Sequence, residues 1–404
     1  MNEVLLNDLR PDESFRPDIT EEEANSIRLG HNGIKGILPA RCYYDENIYK
    51  FEVENILKKH WLYVGAWDWA EKPGDYFTLE MFGEPLIVIR GKDGKLNCLV
   101  NSCRHRWSKI LPEGRGKGAK MLVCPYHTWT YNLDGTLRGV AAEGIENLDK
   151  SKCSLPRIQV EEWNGLIFIN FDPNATSLAE DLAPMDEILK PYGLDKYRSA
   201  GITTYESDWN YKFSFETGYE AYHHCGVHGD RIGNFMPPKA HRPLMFGKNW
   251  GAYAFESQPE TFPNEFRQPF GKAPWMTDEQ AEDRSLDAIF LGIYPNFISF
   301  IQPHQISAIT VQHKSVSRNT SSTTIAIADW CWDRPDAEEH IAAEVQFMKD
   351  VQDEDTYACQ MLERGVRSSF NQEGIVHPKF EPMMTHYYDW FLQHYAGTYN
   401  PNEK

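Results

Sequence analysis

Apolar and polar positions divide the chain into a strand-rich first part and a mixed second part. Near the N-terminus, Thr20 followed by Glu21, Glu22 and Glu23 reads as the start of a short helix. A threonine oxygen can take a free backbone N–H, and acidic groups suit the first turn. Asp45 can cap a firmer helix over 46–61, with Ile48, Phe51 and Ile56 on its apolar side. Segments 76–81, 86–90 and 96–100 are rich in β-branched and aromatic residues and read as strands. Asp93-Gly94 between the last two marks a hairpin. Segment 163–171 reads as the closing strand of this part, and Asp172-Pro173-Asn174-Ala175 breaks the pattern after it.

The second part is predicted to be α+β. A helix is expected over 178–189, and alternation from Thr203 leads into a helix-prone stretch near Phe215. Between 229 and 282 Pro, Gly, Asn and aromatics predominate, which reads as long loops over a cavity. Strands follow at 288–293, 297–301, 306–313 and 322–330. A long helix over 337–367 places Ile341, Val345, Met348, Gln352, Asp355, Cys359, Leu362 and Val366 on one stripe. Asp355 thus points into an apolar face, where a carboxylate is costly unless salt-bridged or metal-bound. Asp353 and Glu354 fall off the stripe and read as solvated. There are no internal repeats. The expected organisation is an N-terminal arm at 1–45 packing on the last domain, a first domain at 46–172 and a second at 173–404.

The chain has 404 residues, enough for two domains with good cores. Lys+Arg number 41 against 59 Asp+Glu, a net charge of −18, which argues against nucleic acid or an anionic membrane as partner. No run of 18 apolar residues appears, and the N-terminus does not read as a signal peptide. Eight cysteines are scattered along the chain. Cys42, Cys98, Cys153, Cys225, Cys331 and Cys359 read as free thiols, in keeping with an expected cytoplasmic location.

Two of the eight belong to a pattern. Cys103-Arg-His105 is followed by 18 residues and then by Cys124-Pro-Tyr-His127. Each loop offers one thiolate and one imidazole, so together they make a four-ligand metal site. A zinc site of two Cys and two His is the plainer reading, but zinc fingers usually pair like with like. The residues resemble the Rieske family, and the likeness extends into the Cys-Pro-Tyr-His-x-Trp run and the Asp134-Gly135 turn. That resemblance implies a 2Fe–2S cluster on Cys103, His105, Cys124 and His127. Neutral imidazoles in place of two thiolates raise its potential to roughly −150 to +300 mV, from about −400 mV for all-Cys plant-type clusters.

A second concentration lies between Glu216 and His228, with Glu216, Glu220, His223, His224 and His228. On a helix Glu220 and His223 share a face. His223 and His228, five apart, converge only if the helix breaks, and Gly226 is placed to break it. His224 and His228, four apart, compete with them on geometry alone. The stretch resembles the mononuclear iron motif of Rieske oxygenase large subunits, in which Tyr222-His223 and His228 match the ligand spacing and favour His223 over His224. Thr217 stands where the family commonly has Asn, and Glu220 where many ring-hydroxylating members have Asp. Two histidines leave Fe(II) short of the carboxylate of a 2-His-1-carboxylate triad. Asp355 suits that role, and the Glu354-Asp355 run followed by Arg364-Gly365 also resembles the family's third-ligand segment.

The chain thus resembles the terminal (α) subunit of Rieske non-haem iron oxygenases along nearly its whole length. The resemblance implies an all-β Rieske domain and a helix-grip catalytic domain, an antiparallel sheet folded around a long C-terminal helix. It implies O2-dependent hydroxylation of a small organic, aromatic substrate, or alternatively N-demethylation of a methylated amine such as a betaine. NAD(P)H electrons would come through a separate reductase, with or without a ferredoxin, because no Gly-x-Gly-x-x-Gly follows a strand here. A homotrimer is implied, with a β subunit as a further possible partner. In it Glu220 would join His223 to the neighbour's cluster ligand His127. A zinc-binding structural protein and a plain Rieske electron carrier are the competing classes.

Overall fold

The apolar runs of the first part pair as antiparallel neighbours in the computed structural model, which describes residues 14–141, 145–229, 231–260, 262, 267–285 and 287–400. The first thirteen residues of the expected N-terminal arm lie outside the described residues. The first of two units is Lys58–Ala179. Its strands β1 (Leu62–Ala66), β2 (Tyr76–Met81), β3 (Glu84–Arg90), β4 (Leu96–Val100) and β5 (Arg115–Gly116) precede a small sheet. That sheet holds β6 (Leu122–Val123), β7 (Thr130–Tyr131) and β8 (Leu137–Gly139). Strands β9 (Arg157–Trp163) and β10 (Leu166–Asn170) then complete a seven-stranded sheet, β1-β10-β9-β4-β3-β2-β5.

Two expectations fail here for physical reasons. The segment 163–171 is not one strand. Asn164 and Gly165 take left-handed φ of +49° and +77° and turn β9 back into β10, as Asn-Gly favours. The helix expected over 46–61 stops at Asn55. From Leu62 the chain is buried on both faces and pairs with β10, so it serves the sheet instead.

The second unit comprises residues 14–57 and 180–400. Its strands are β11 (Tyr197–Ser207), β12 (His241–Phe246), β13 (Trp250–Phe255), β14 (Ala288–Ile293), β15 (Phe297–Ile301), β16 (Gln305–Ser315) and β17 (Arg318–Ala328). They form one antiparallel sheet in the order β11-β17-β16-β15-β14-β13-β12. β12 and β13 arise where only loops were expected. β12 is an edge strand with Pro243 at a register shift, and a proline is tolerated there because an edge can spare an N–H.

Helices α1 (Glu21–Arg28) and α2 (Glu46–Asn55) precede α3 (Leu178–Leu189), α4 (Tyr211–Gly218) and α5 (His224–Val227). After α6 (Asp278–Glu282) come α7 (Ala337–Val366) and α8 (Pro382–Tyr395). Thr20 and Glu23 cap α1 reciprocally. Paired residues of an antiparallel sheet share a face, and one row runs Gly201, Ile325, Ser307, Phe300, Phe290, Tyr253 across six strands. Gly201 faces α7 so closely that a Cβ there would sit 2.8 Å from Val345 Cγ1. The sheet therefore grips α7 with this face, the helix-grip arrangement. Among the described residues, no helix is long and apolar enough to cross a membrane.

The helix α2, expected with the first domain, packs in the second unit. Glu52 accepts from Lys212 Nζ at 2.8 Å, with both side chains fully buried. Tyr211 and Tyr395 also donate to the Glu52 carboxylate. Removing one partner of a buried pair leaves an uncompensated charge and costs about 3–5 kcal/mol. Glu52→Gln should therefore lower the urea midpoint of the second unit, whereas the double replacement Glu52→Met with Lys212→Met should recover most of the loss. Equal destabilisation in the single and double variants would show that packing, not charge, governs this junction.

Candidate functional site

In the first unit two loops of similar build carry the Cys-His pairs. In the first, Cys103 N–H donates to Ser108 O and Trp107 N–H to Cys103 O, at 2.9 and 2.8 Å. In the second, Cys124 N–H donates to Trp129 O and Thr128 N–H to Cys124 O, both at 2.9 Å. Trp107 and Thr128 occupy the same position in each loop and both take left-handed φ, +59° and +55°. A non-glycine residue so placed costs of order 1–3 kcal/mol and clusters at functional sites.

The loops bring their side chains together by type. Cys103 and Cys124 are buried and in hydrogen-bond contact with each other. The rings of His105 and His127 lie edge to face with centroids 4.6 Å apart, and His105 stacks on Trp129. Burial alone would raise the Cys124 thiol, but the backbone N–H groups of Tyr126 and His127 point at its sulfur and hold it lower. Burial raises the Cys103 thiol, and the Tyr131 hydroxyl, 3.2 Å from the sulfur, offsets part of this. His127 Nδ1 is buried with no partner among the described residues. Two sulfurs on one side, two imidazoles on the other and N–H groups aimed at sulfur fit a 2Fe–2S cluster, whose potential such hydrogen bonds tune.

In the second unit the helix breaks earlier than expected. α4 ends at Gly218, the chain turns through Tyr219–Tyr222, and Gly226 lies inside the short α5. Glu220 therefore meets His223 across a turn and not along a helix face. Its Oε2 accepts from the backbone N–H of His223 at 3.0 Å and from that of Tyr222, and its Oε1 takes His223 Nδ1–H at 2.6 Å. His228 follows α5 and gives its Nδ1–H to Glu354 Oε2 at 2.8 Å.

Each imidazole is thus held at Nδ1 by its own carboxylate and turns Nε2 inward. The two Nε2 atoms are 3.2 Å apart, and Asp355 Oδ1 lies 3.1 Å from His228 Nε2 and 3.6 Å from His223 Nε2. That Oδ1 is buried and, among the described residues, has only the two imidazoles beside it. Ligands at about 2.0–2.2 Å from one ion stand roughly 2.8–3.6 Å from each other at right-angled to tetrahedral spacing. The three donors fit one metal ion on a single face, with the rest of its sphere open. Burial works against charge on Asp355, but the two imidazoles hold its carboxyl down to about 2. Burial likewise opposes charge on His223, yet Asp355 and Glu220 raise it to about 10.

His224 is close to both histidines, but its Nδ1 donates to Met236 O at 2.8 Å and burial keeps it neutral. Its ligand atom lies within 4.8 Å of those of His223 and His228, so the three histidines form one cluster beside Asp355. Glu216, the other acid of the run, accepts from Tyr43 at 2.6 Å, and burial pushes its carboxyl up to about 8. Phe215 and Tyr219 belong to the core: Phe215 stacks on Tyr387, and Tyr219 donates within a buried pair with Tyr294.

Glu354 corrects the sequence reading. It is not solvated but bonded to His228 and, at 2.9 Å, to Arg231, which also holds Asp350. Asp353 is exposed, as expected. Sequence reasoning also missed His241, Tyr253, Phe255, Phe290 and Phe300. His241 packs on His224, Phe255 and Phe290, and Tyr253 stacks on Phe290 with centroids 4.5 Å apart. His241 Nε2 and the Tyr253 hydroxyl are buried without partners among the described residues. An aromatic wall thus adjoins the trio. A groove of about 1690 Å³ is bordered by Tyr43, Glu216, Glu220, His223, Glu354 and Tyr388.

Comparison with known proteins agrees with this division. Residues 60–149 match the Rieske [2Fe-2S] domain, and residues 194–397 match the ring hydroxylating alpha subunit catalytic domain. The glycine betaine monooxygenase oxygenase subunit of Pseudomonas aeruginosa is 34% identical over 199 residues, 49% of this chain and 46% of that protein. The benzene 1,2-dioxygenase alpha subunit of Pseudomonas putida is 36% identical over 240 residues, 54% of this chain and 52% of that protein. The chain thus spans about half the length of the curated relatives it matches. The quaternary ammonium Rieske monooxygenase CntA superposes with a TM-score of 0.77 over 93% of this chain and 98% of CntA, at 21% identity, so the fold is shared. With the catalytic-domain match covering half its residues, the chain belongs to the ring-hydroxylating α-subunit family and joins that family's catalytic domain to a Rieske domain.

Proposed function

We propose that the chain is the oxygenase component of a multicomponent Rieske oxygenase. It takes electrons from a separate NAD(P)H reductase and, with O2, hydroxylates a small organic substrate with an aromatic body. The observation that carries this reading is the convergence of His223 Nε2, His228 Nε2 and Asp355 Oδ1 within 3.6 Å of one another. In this reading Cys103, His105, Cys124 and His127 hold the 2Fe–2S cluster, and His223, His228 and Asp355 hold Fe(II). When bound, the cluster supplies single electrons and the iron supplies O2 activation.

The protein's part is positioning. Glu220 and Glu354 keep each ring proton on Nδ1, which fixes the tautomer and presents both Nε2 lone pairs inward. Asp355 contributes an anionic donor on a buried helix face. The aromatic wall of His241, Tyr253, Phe290 and Phe300 offers a dry surface for a flat or cationic substrate. Oxidative N-demethylation of a methylated amine is the second reading. It is supported by this wall, since aromatic faces attract ammonium groups, and by the betaine monooxygenase among the relatives. Oxygen uptake and product analysis with aromatic acids and with methylated amines, reductase supplied, separate the two.

The same reading extends to assembly. The groove beside Glu220 and His223 would receive the cluster tip of a second copy, so that Glu220 bridges His223 and that copy's His127 in a homotrimer. Inter-subunit electron transfer is described for a quaternary ammonium Rieske monooxygenase of this fold.

Two predictions test these assignments. Asp355→Ala should lose the mononuclear iron on metal analysis while keeping the red-brown spectrum and rhombic EPR signal of the cluster. Glu354→Gln should weaken iron binding by about 10–100-fold, and Asp353→Ala should leave it unchanged. Full iron occupancy in Asp355→Ala would refute the trio.

Glu220→Gln preserves shape and a hydrogen bond but removes the charge. Single-turnover oxidation of the reduced cluster, with substrate and O2 present, should slow by at least about tenfold with both metals bound. A wild-type rate would exclude Glu220 from the electron path.

A further inference from the structure

Glu344 lies on α7, eleven residues before Asp355. Eleven residues make just over three full turns, so the two carboxylates share a face about 16 Å apart along the axis. Val351, which is buried, and Met348 occupy the same face between them. At the far end the opposing sheet is polar. Gln305 begins β16 and hydrogen-bonds the Glu344 carboxyl. Its Nε2 also donates to Gln302 Oε1 at 2.9 Å. Ser307 is two residues further along the same face, in register with Phe300 of the aromatic wall.

These groups are not satisfied by their neighbours. Gln302, Gln305 and Ser307 are each at most 3% exposed. Yet Gln305 Oε1, Ser307 Oγ and Gln302 Nε2 have no partner among the described residues. Leaving a buried polar group unpaired costs about 1–3 kcal/mol, so several together on one face call for a ligand. Burial pushes the Glu344 carboxyl up to about 7, with Gln305 offsetting part of the rise. No cation on the described protein is bonded to it. The unpaired oxygens of Gln305 and Ser307, on the sheet face opposite the Glu344 carboxylate, are acceptors and suit a donor-rich cation; the unpaired Gln302 Nε2 is a donor and is not part of that set.

We propose that Glu344, Gln305 and Ser307 form the far end of the substrate site and receive a protonated amine. The apolar body of the same molecule lies along Val351 and Met348, between the amine and the His223–His228–Asp355 trio. The assignment rests on the oxygenase reading above and narrows it to substrates that carry an amine at one end and the oxidised position at the other.

The test is calorimetric titration of the protein, loaded with cluster and iron, with 4-phenylbutylamine and with 4-phenylbutan-1-ol. The wild type should bind the amine at least about 30-fold more tightly, as expected for a charge that pairs in a buried site. Glu344→Gln, nearly isosteric, should reduce that preference to about threefold or less, the worth of a neutral hydrogen bond, with the alcohol's affinity unchanged. Ser307→Ala, a small change in a strand, should weaken the amine alone by a few-fold. Equal binding of the two probes, no binding of either, or a preference that survives Glu344→Gln overturns the proposal. A protein that shows the preference but couples no amine to O2 uptake would instead sink the oxygenase reading and leave the amine site standing.

Discussion

The buried Lys212–Glu52 pair is the constraint on which the second unit's geometry depends. Lys212 stands in the first turn of α4, and its ammonium also donates to Cys42 O at 2.9 Å. One charge thus fastens α2 and the segment before it to α4. The same turn is tied to α7, because Asn210 N–H, at the α4 cap, donates to Glu363 Oε2 at 3.0 Å. Glu363 lies eight residues beyond Asp355 on α7. The start of α4 is therefore referenced to the helix that carries the carboxylate, and its end delivers Glu220 and His223. A hydrophobic contact in place of the ion pair could match its stability, but it would not specify direction in the same way. Tyr43 adds to the lock by stacking on Phe213 with centroids 4.7 Å apart while donating to Glu216.

What the sequence made legible was chemistry at fixed spacing. The Cys103–His105 and Cys124–His127 pairs declare a metal site because few folds place those types so closely for other reasons. Asp355 was legible because the stripe of α7 is long enough to fix its phase. Strands at 288–293 and 297–301 were legible because short apolar runs there are bounded by Pro295-Asn296 and Pro303. Glu354 was not legible, and the reason is instructive. Helix phase tells which side of α7 packs on the sheet, but not that His228 and Arg231 would meet the adjoining flank. A one-dimensional pattern sees a single interface, whereas α7 has two. The break at Gly218 was missed for a similar reason. Gly226 looked like the breaker, but the carboxylate of Glu220 captures the Tyr222 and His223 N–H groups and ends the helix first. The aromatic wall was hidden because β12 and β13 fall in a stretch whose composition resembles loop. The Asn164-Gly165 hairpin, by contrast, carries a plain local signal that a long apolar run masked.

Some local rules are broken where chemistry is proposed. Trp107 and Thr128 accept left-handed backbone in the two loops that present sulfur and imidazole. The α7-facing side of the sheet carries Gln305, Ser307, Ser321 and Thr323 where an ordinary sandwich face would be aliphatic. Thr323 is matched by Gln352 at 2.7 Å, whereas Ser307 is not. Consistency across levels specifies a fold, and departures from it concentrate at functional sites.

Two acids of the second unit show how partner choice, and not burial, sets the charge. Desolvation favours the neutral form of both Glu216 and Asp355. Glu216 faces the hydroxyls of Tyr43 and Tyr388, which offset its burial only in part, and its carboxyl rises to about 8. Asp355 faces two imidazoles and falls to about 2. The neutral Glu216 spares the site a further negative charge beside Glu220, Glu354 and Asp355. That matters because two of those three carboxylates already serve to hold imidazole protons. Their arrangement leaves one anionic oxygen and two lone pairs facing the same point. A second uncompensated anion there would favour a proton over any open geometry. The fold avoids it by giving Glu216 a hydroxyl for a partner and Asp355 the histidines.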